Sequence, residues 1–214
     1  MRNMLALFSA LALVAVNGLG EEPAKAPRLL ALPVNGANAG CCTAAVKEAL
    51  EALPGVVSVR IESAEGSKLA IVTLDEKAEL RLSEVTRVLD EAAKDMAAMM
   101  GGGIRYVVDR DRLAVGEGAF LLVGEGANAK LVAGVPGVAG ADVDSLGDVA
   151  GLRIHIQPKA VVKLNPLAAA VAKSGGEVSD LVLAPNFDPS TKAKEPQKAP
   201  PQNNPPKGGG GGGC

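Results

Sequence analysis

Along this chain the spacing of apolar positions switches between two periods in a repeating order. Short runs rich in Val, Ile and Leu predict strands at about Arg28 to Pro33, Val56 to Glu62 and Lys68 to Leu74. Between the first two, the spacing predicts a helix from Thr43 to Leu53 that ends at Pro54-Gly55. A longer helix is predicted from Glu84 to Met100, where Val85, Val88, Leu89, Ala92, Met96 and Met99 fall at steps of three and four and make one apolar stripe. The triple glycine Gly101 to Gly103 stops it, and a last strand follows at Ile104 to Val108. The order is βαββαβ, which packs two helices on one face of a four-stranded antiparallel sheet.

The pattern then recurs. LPGVVSVRIESAEGSKLAIVTLDEKAELRLSEVTRVLDEAA, from Leu53, can be laid over VPGVAGADVDSLGDVAGLRIHIQPKAVVKLNPLAAAVAKSG, from Val135, with a one-residue slip between the strands. Each has a Pro-Gly-Val turn, two strands joined by a polar glycine-containing turn, and a helix. Ser83 precedes the first of these helices. Asn165 holds the matching place in the second, with Pro166 directly after it, an N-cap residue followed by proline at the first helical position. Upstream, the second copy opens with a strand at Phe120 to Val123, and both copies carry GANA, at Gly36 to Ala39 and Gly126 to Ala129. Between GANA and the Pro-Gly turn lie residues 40–53 in one copy and 130–135 in the other, a difference of a little over two helical turns. The second copy is expected to have lost most of its first helix, and with it the paired cysteines Cys41 and Cys42.

With NGANAGCCTAAVKEALEALPGVVSV, residues 35–59, the first copy resembles the heavy-metal-associated domain family, the small ferredoxin-like domains of copper chaperones, copper-transporting ATPases and the periplasmic mercury-binding protein. That family leads from a first strand into a Gly-Met-x-Cys-x-x-Cys loop, a VxxAL helix, a Gly-Val turn and a second strand. The likeness spans residues 28–112, with 117–185 as a degenerate second copy, and implies an α+β protein of two ferredoxin-like units. By register, Cys42 takes the place of the family's second cysteine, Ala39 that of the first, Ala37 that of the methionine and Gly36 that of the glycine. Cys41 is an additional thiol beside the second position.

Adjacent thiols limit the chemistry. Consecutive α-carbons lie about 3.8 Å apart, whereas disulfides favour about 4.4 to 6.8 Å, so a Cys41–Cys42 bridge would be strained and easily reduced. Two sulfurs about 4.6 Å apart would hold one metal ion, a separation that side chains in an irregular loop can reach. A thiolate at a helix start also faces unpaired N–H groups that lower its pKa. Two soft donors suit Cu(I) best, Hg(II) by the same argument, and Zn(II) less, since zinc takes four ligands. Core packing of two small apolar side chains is the competing reading.

The other candidates are His155, Met96, Met99 and Met100, and Cys214. His155, the single histidine, alternates with Leu152, Ile154 and Ile156 and is expected to point away from the helix-covered face. The three methionines carry thioethers, but their helical spacing points to core packing. Cys214 ends the chain behind six glycines and could serve as a third ligand, an intermolecular disulfide partner or an unbridged thiol.

The chain's ends and its charge complete the picture. MRNMLALFSALALVAVNGLG has Arg2, an apolar run from Met4 to Val16 and then small residues, the layout of a signal peptide over residues 1–20. The run is shorter than the roughly 20 residues of a membrane-spanning helix, so an exported protein, periplasmic or secreted, with no span in its mature chain is expected. Residues 186–214, rich in Pro, Lys, Gln, Asn and Gly, are expected to form a disordered tail. A net charge of -2 gives no basic excess for nucleic acid, and 2% aromatic residues give no base-stacking platform. No nucleophile–base pair, paired carboxylates or phosphate loop stands out, which argues against an enzyme. The expected function is capture of a soft metal ion and its transfer, with another protein as recipient. The alternative is a metal-free interaction or scaffold protein that keeps the fold.

Overall fold

The computed structural model describes residues 27–64, 67–124 and 128–187. Of the expected tail, residues 186–214, Asn186 and Phe187 are ordered against Leu29 and Ala31, which corrects its boundary; the rest of it, Cys214 included, and the expected signal segment lie outside the described residues. The first unit runs β1 (Arg28–Asn35), α1 (Gly40–Glu51), β2 (Val56–Ala64), β3 (Ser67–Leu74), β4 (Leu80–Arg81), α2 (Leu82–Met100) and β5 (Val107–Val108). After a short linking strand, β6 (Ala114–Val115), the second unit runs β7 (Phe120–Val123), α3 (Ala129–Ala133), β8 (Val138–Leu146), β9 (Val149–Ile156), β10 (Val162–Lys163), α4 (Leu164–Lys173) and β11 (Val178–Leu183). The protein is α+β, built from two ferredoxin-like units. One sheet has the order β2-β3-β1-β5 and the other β4-β11-β7-β9-β8, all antiparallel; without β4, an edge strand from the first unit, the two orders show one topology. Where α1 has 12 residues, α3 has 5, as the shortened second copy requires.

Two expectations are corrected by register and by capping. Ile104 to Tyr106 are not strand. Antiparallel pairing sets Val107 opposite Asn35, which places Tyr106 opposite Gly36, beyond the end of β1, with nothing left to pair against. The close approach there explains Gly36, whose φ is +93° and where a Cβ would fall 1.9 Å from the Arg105 carbonyl oxygen. Ser83 and Asn165 do not cap from outside their helices. Both helices begin earlier, at buried Leu82 and Leu164, because these leucines anchor the first turn in the core. The exposed N–H groups of α2 are met instead by a carboxylate of the other unit: Ser83 donates from its backbone N–H to Asp180 Oδ1 at 3.0 Å and from its hydroxyl to Asp180 Oδ2 at 2.5 Å. At the start of α4, the Asn165 amide likewise donates to Asp111, which follows the first unit's last strand.

These reciprocal contacts belong to a larger interlock. The segment before each unit's second long helix pairs with the segment that ends the other unit: β4 with β11, and β10 with β6. Beyond β11 the chain returns to the first unit. The backbone N–H groups of Asn186 and Phe187 donate to Leu29 O at 3.0 and 3.2 Å. The Asn186 side chain accepts from Ala31 N–H at 2.6 Å and donates to Ala31 O at 3.3 Å and Ala114 O at 2.6 Å. It covers the part of β1 that the short strand β5 leaves open. The two helix-covered faces consequently merge, and the buried side chains of both units form one contiguous cluster from Leu30 to Ala184. A small second cluster of Phe120, Leu122 and Val182 lies apart from it, with the Arg153 guanidinium 5.6 Å above the Phe120 ring.

In α2 the buried stripe is Leu82, Val85, Leu89, Ala93 and Met96, and Met99, expected within it, is 74% exposed. Val88 and Ala92 are only partly buried, packed at the edge of the core. The facing side of α1 explains this, because Ala44, Ala45, Ala49 and Ala52 are too small to cover that flank of α2. They leave a groove of about 550 Å3 between the helices.

Candidate metal centre

Helix α1 starts at Gly40, so Cys41 and Cys42 occupy its first turn and not the irregular loop the sequence suggested. The turn closes where Thr43 N–H reaches Ala39 O at 2.9 Å and the Thr43 hydroxyl donates to the same oxygen at 2.9 Å. Ala39, the N-cap, has no side chain to accept from the helix's leading N–H groups. Ala37, at the position of the family's methionine, is fully buried.

Successive residues on a helix point about 100° apart, and the two thiols therefore enter different surroundings. Cys42 continues into Val46 and Leu50 on the face turned to the sheet and is 7% exposed. Cys41 lies on the flank with Ala45, Glu48 and Ala52 and lines the groove toward α2. The two do not bridge each other.

A residue that the sequence reading passed over completes this corner. Tyr106, the single tyrosine of the chain, is 1% exposed. Its hydroxyl has no hydrogen-bonding oxygen or nitrogen partner. Burial, and then the adjacent Cys42 thiol, push its pKa well above the usual phenol value, with Cys41 adding a smaller effect. The Cys42 thiol is within hydrogen-bonding reach of the phenol. A buried phenol without an oxygen or nitrogen partner is uncommon. A lone tyrosine in a chain with 2% aromatic residues was the signal available in the sequence.

The remaining candidates are separated by the fold. Met96 and Met99 line the same groove as Cys41, while Met100 is partly exposed outside its lining. His155, on β9 of the second unit, has Nδ1 3.0 Å from Glu117 Oε1 and Nε2 3.0 Å from Asp142 Oδ2. Carboxylates accept only, so both contacts are hydrogen bonds when the ring carries both protons. Among the described residues, no group of three or more His, Cys, Asp and Glu side chains is arranged to hold a metal ion. Also among them, no helix is long and apolar enough to cross a membrane.

No protein-family model matches the sequence, and no curated protein matches it. Among solved structures, the chain is similar to the water-soluble region of the P-type ATPase CopA from Bacillus subtilis, with 20% identity, a TM-score of 0.30, and coverage of 80% of this chain and 97% of that one. It is also similar to the N-terminal soluble domains of Bacillus subtilis CopA, with 19% identity, a TM-score of 0.27, and coverage of 73% and 93%. The assignment of the fold rests on strand order and register, not on these overlaps.

Proposed function

We propose that this chain is an exported protein that captures a soft metal ion through Cys41 and Cys42 and passes it on by ligand exchange to another protein. Cu(I) is the best-matched ion, ahead of Hg(II) and Zn(II), because the donors are soft and few. The observation that carries the reading is the placement of both thiols in the first turn of α1, a helix with no side-chain cap, with Cys42 beside the buried Tyr106 hydroxyl. For both sulfurs to reach one ion the first turn must loosen, and an N-cap of alanine forgoes roughly 0.5–2 kcal/mol of helix stabilisation there. The second unit, which lacks the cysteines, is structural in this scheme.

A metal-free interaction or scaffold protein is favoured by one observation, the packing of Cys42 in the core beside Val46 and Leu50. Titrating the reduced full chain with Cu(I) against a competing chelator separates the two. Replacing both cysteines by serine is expected to lower Cu(I) affinity by more than ~100-fold, above the 10–100-fold typical of losing an outer-shell partner. Unchanged affinity in that double variant would sink the metal reading at this site.

A further inference from the structure

The alanine face of α1 and the end of α2 bring three sulfur-bearing residues to the lining of one groove. Cys41 lies at the start of α1, and Met96 and Met99 lie near the end of α2, and all three line the same groove. Met96 and Met99 stand three residues apart, on one face of the helix. Met99 is 74% exposed, so burial in the core does not account for it, whereas Met96 is 7% exposed and reaches the groove from the buried stripe of α2. Glu48 and Asp95 also line the groove and lend it negative charge, which concentrates cations without requiring the carboxylates to bind them.

We infer that the α1–α2 groove is itself a monovalent soft-metal site, in which the Cys41 thiolate and the Met96 and Met99 thioethers are the donors. The inference rests on the soft-metal reading above and changes its ligand set, from two neighbouring thiols to one thiol and two thioethers. Cys41 already faces the groove, so this set forms without unwinding α1. Binding releases the Cys41 thiol proton to solvent and transfers no electron, so the ion enters and leaves as Cu(I). Thioethers are poor ligands for zinc and good ones for Cu(I) and Ag(I), so the groove selects among the soft ions by charge and polarisability. It also opens to the surface, where a recipient protein's thiolate can attack the ion directly.

The test uses the reduced full chain with its methionine methyl groups carbon-13 labelled, titrated with Ag(I) and, anaerobically, with Cu(I). The Met96 and Met99 methyl resonances are expected to shift in step with one bound ion, while the Met100 methyl stays in place. Met99→Leu, at an exposed position and nearly equal in volume, is expected to lower Ag(I) and Cu(I) affinity by about ten-fold or more and to leave Zn(II) binding unchanged. Met96→Leu with Met99→Leu is expected to lower it further, with the circular dichroism spectrum reporting that the fold is intact. Binding that needs both cysteines and ignores the methionines, in methyl shifts and in Met99→Leu alike, overturns the thioether set and leaves the two-thiol reading standing. An absence of Ag(I) and Cu(I) binding to the wild-type chain overturns both.

Discussion

Asn186 offers the sharpest measurement of how firmly the two units are joined. Its half-buried side chain makes three hydrogen bonds, one from Ala31 N–H and two to the carbonyl oxygens of Ala31 and Ala114, at 2.6, 3.3 and 2.6 Å. Asn186→Ala removes all three and leaves an N–H and two carbonyls on the edge of β1 and on β6 to find water. At about 0.5–1.5 kcal/mol for each net hydrogen bond, with the longest counted low and partial access of water, the loss should be about 2 kcal/mol. For a domain of this size that corresponds to a fall in Tm of about 4–8 °C. Urea unfolding followed by circular dichroism and by Tyr106 fluorescence should show one transition for wild type and variant, displaced in midpoint with an unchanged slope, since a continuous core unfolds as one body. Asn186→Asp keeps an acceptor for Ala31 N–H but turns a carboxylate toward two carbonyls, so it should be at least as damaging as alanine. A loss below about 0.5 kcal/mol for Asn186→Ala would refute the hydrogen-bond reasoning, and two separated transitions in the wild-type chain would refute the single cooperative body.

Tyr106→Phe should leave the metal-free protein as stable as wild type, or more stable by up to about 1 kcal/mol, because it deletes a buried hydroxyl with no oxygen or nitrogen partner and only a weakly hydrogen-bonding thiol beside it. Destabilisation beyond about 1 kcal/mol in thermal unfolding would mean that the hydroxyl already has one. His155 should titrate above the usual imidazole value, held up first by its hydrogen bond to Glu117 and then by that to Asp142. A folded pKa above the unfolded one means a stabilising contribution that is fully present below about pH 6.5 and disappears as pH rises through the folded pKa. The effect is small at so exposed a site, but proton NMR of the chain's only histidine can follow it. A folded pKa at or below 6.5, or no downward shift in Asp142→Asn, would contradict the paired-carboxylate geometry.

Much of the fold was legible because its causes are local. Alternation and three-to-four spacing are set by how side chains leave a strand or a helix, so β1, β2, β3, α1 and α2 could be placed from the residues alone, with the starts of α1 and α2 displaced by three and two positions. The internal repeat was legible for the same reason, down to the shortened α3. The candidate site was legible only as a pair of neighbouring letters. Cys41 and Cys42 are adjacent in sequence, yet a regular helical turn sends one into the core and the other into the groove.

What the sequence determined by itself was thus the class of the longer strands and helices, the recurrence of their order and the presence of thiols at the start of α1. Tertiary structure decided which neighbours those elements meet. Periodicity marks an apolar face but says nothing of the size of the surface opposite, so it could not show that alanines on α1 would leave Met99 in the open. Nor can spacing reveal a cap or an edge cover drawn from distant residues. Asp180 at the start of α2 and Asn186 on β1 are 97 and 155 residues from their partners, and only the packing of two units around one core brings them there.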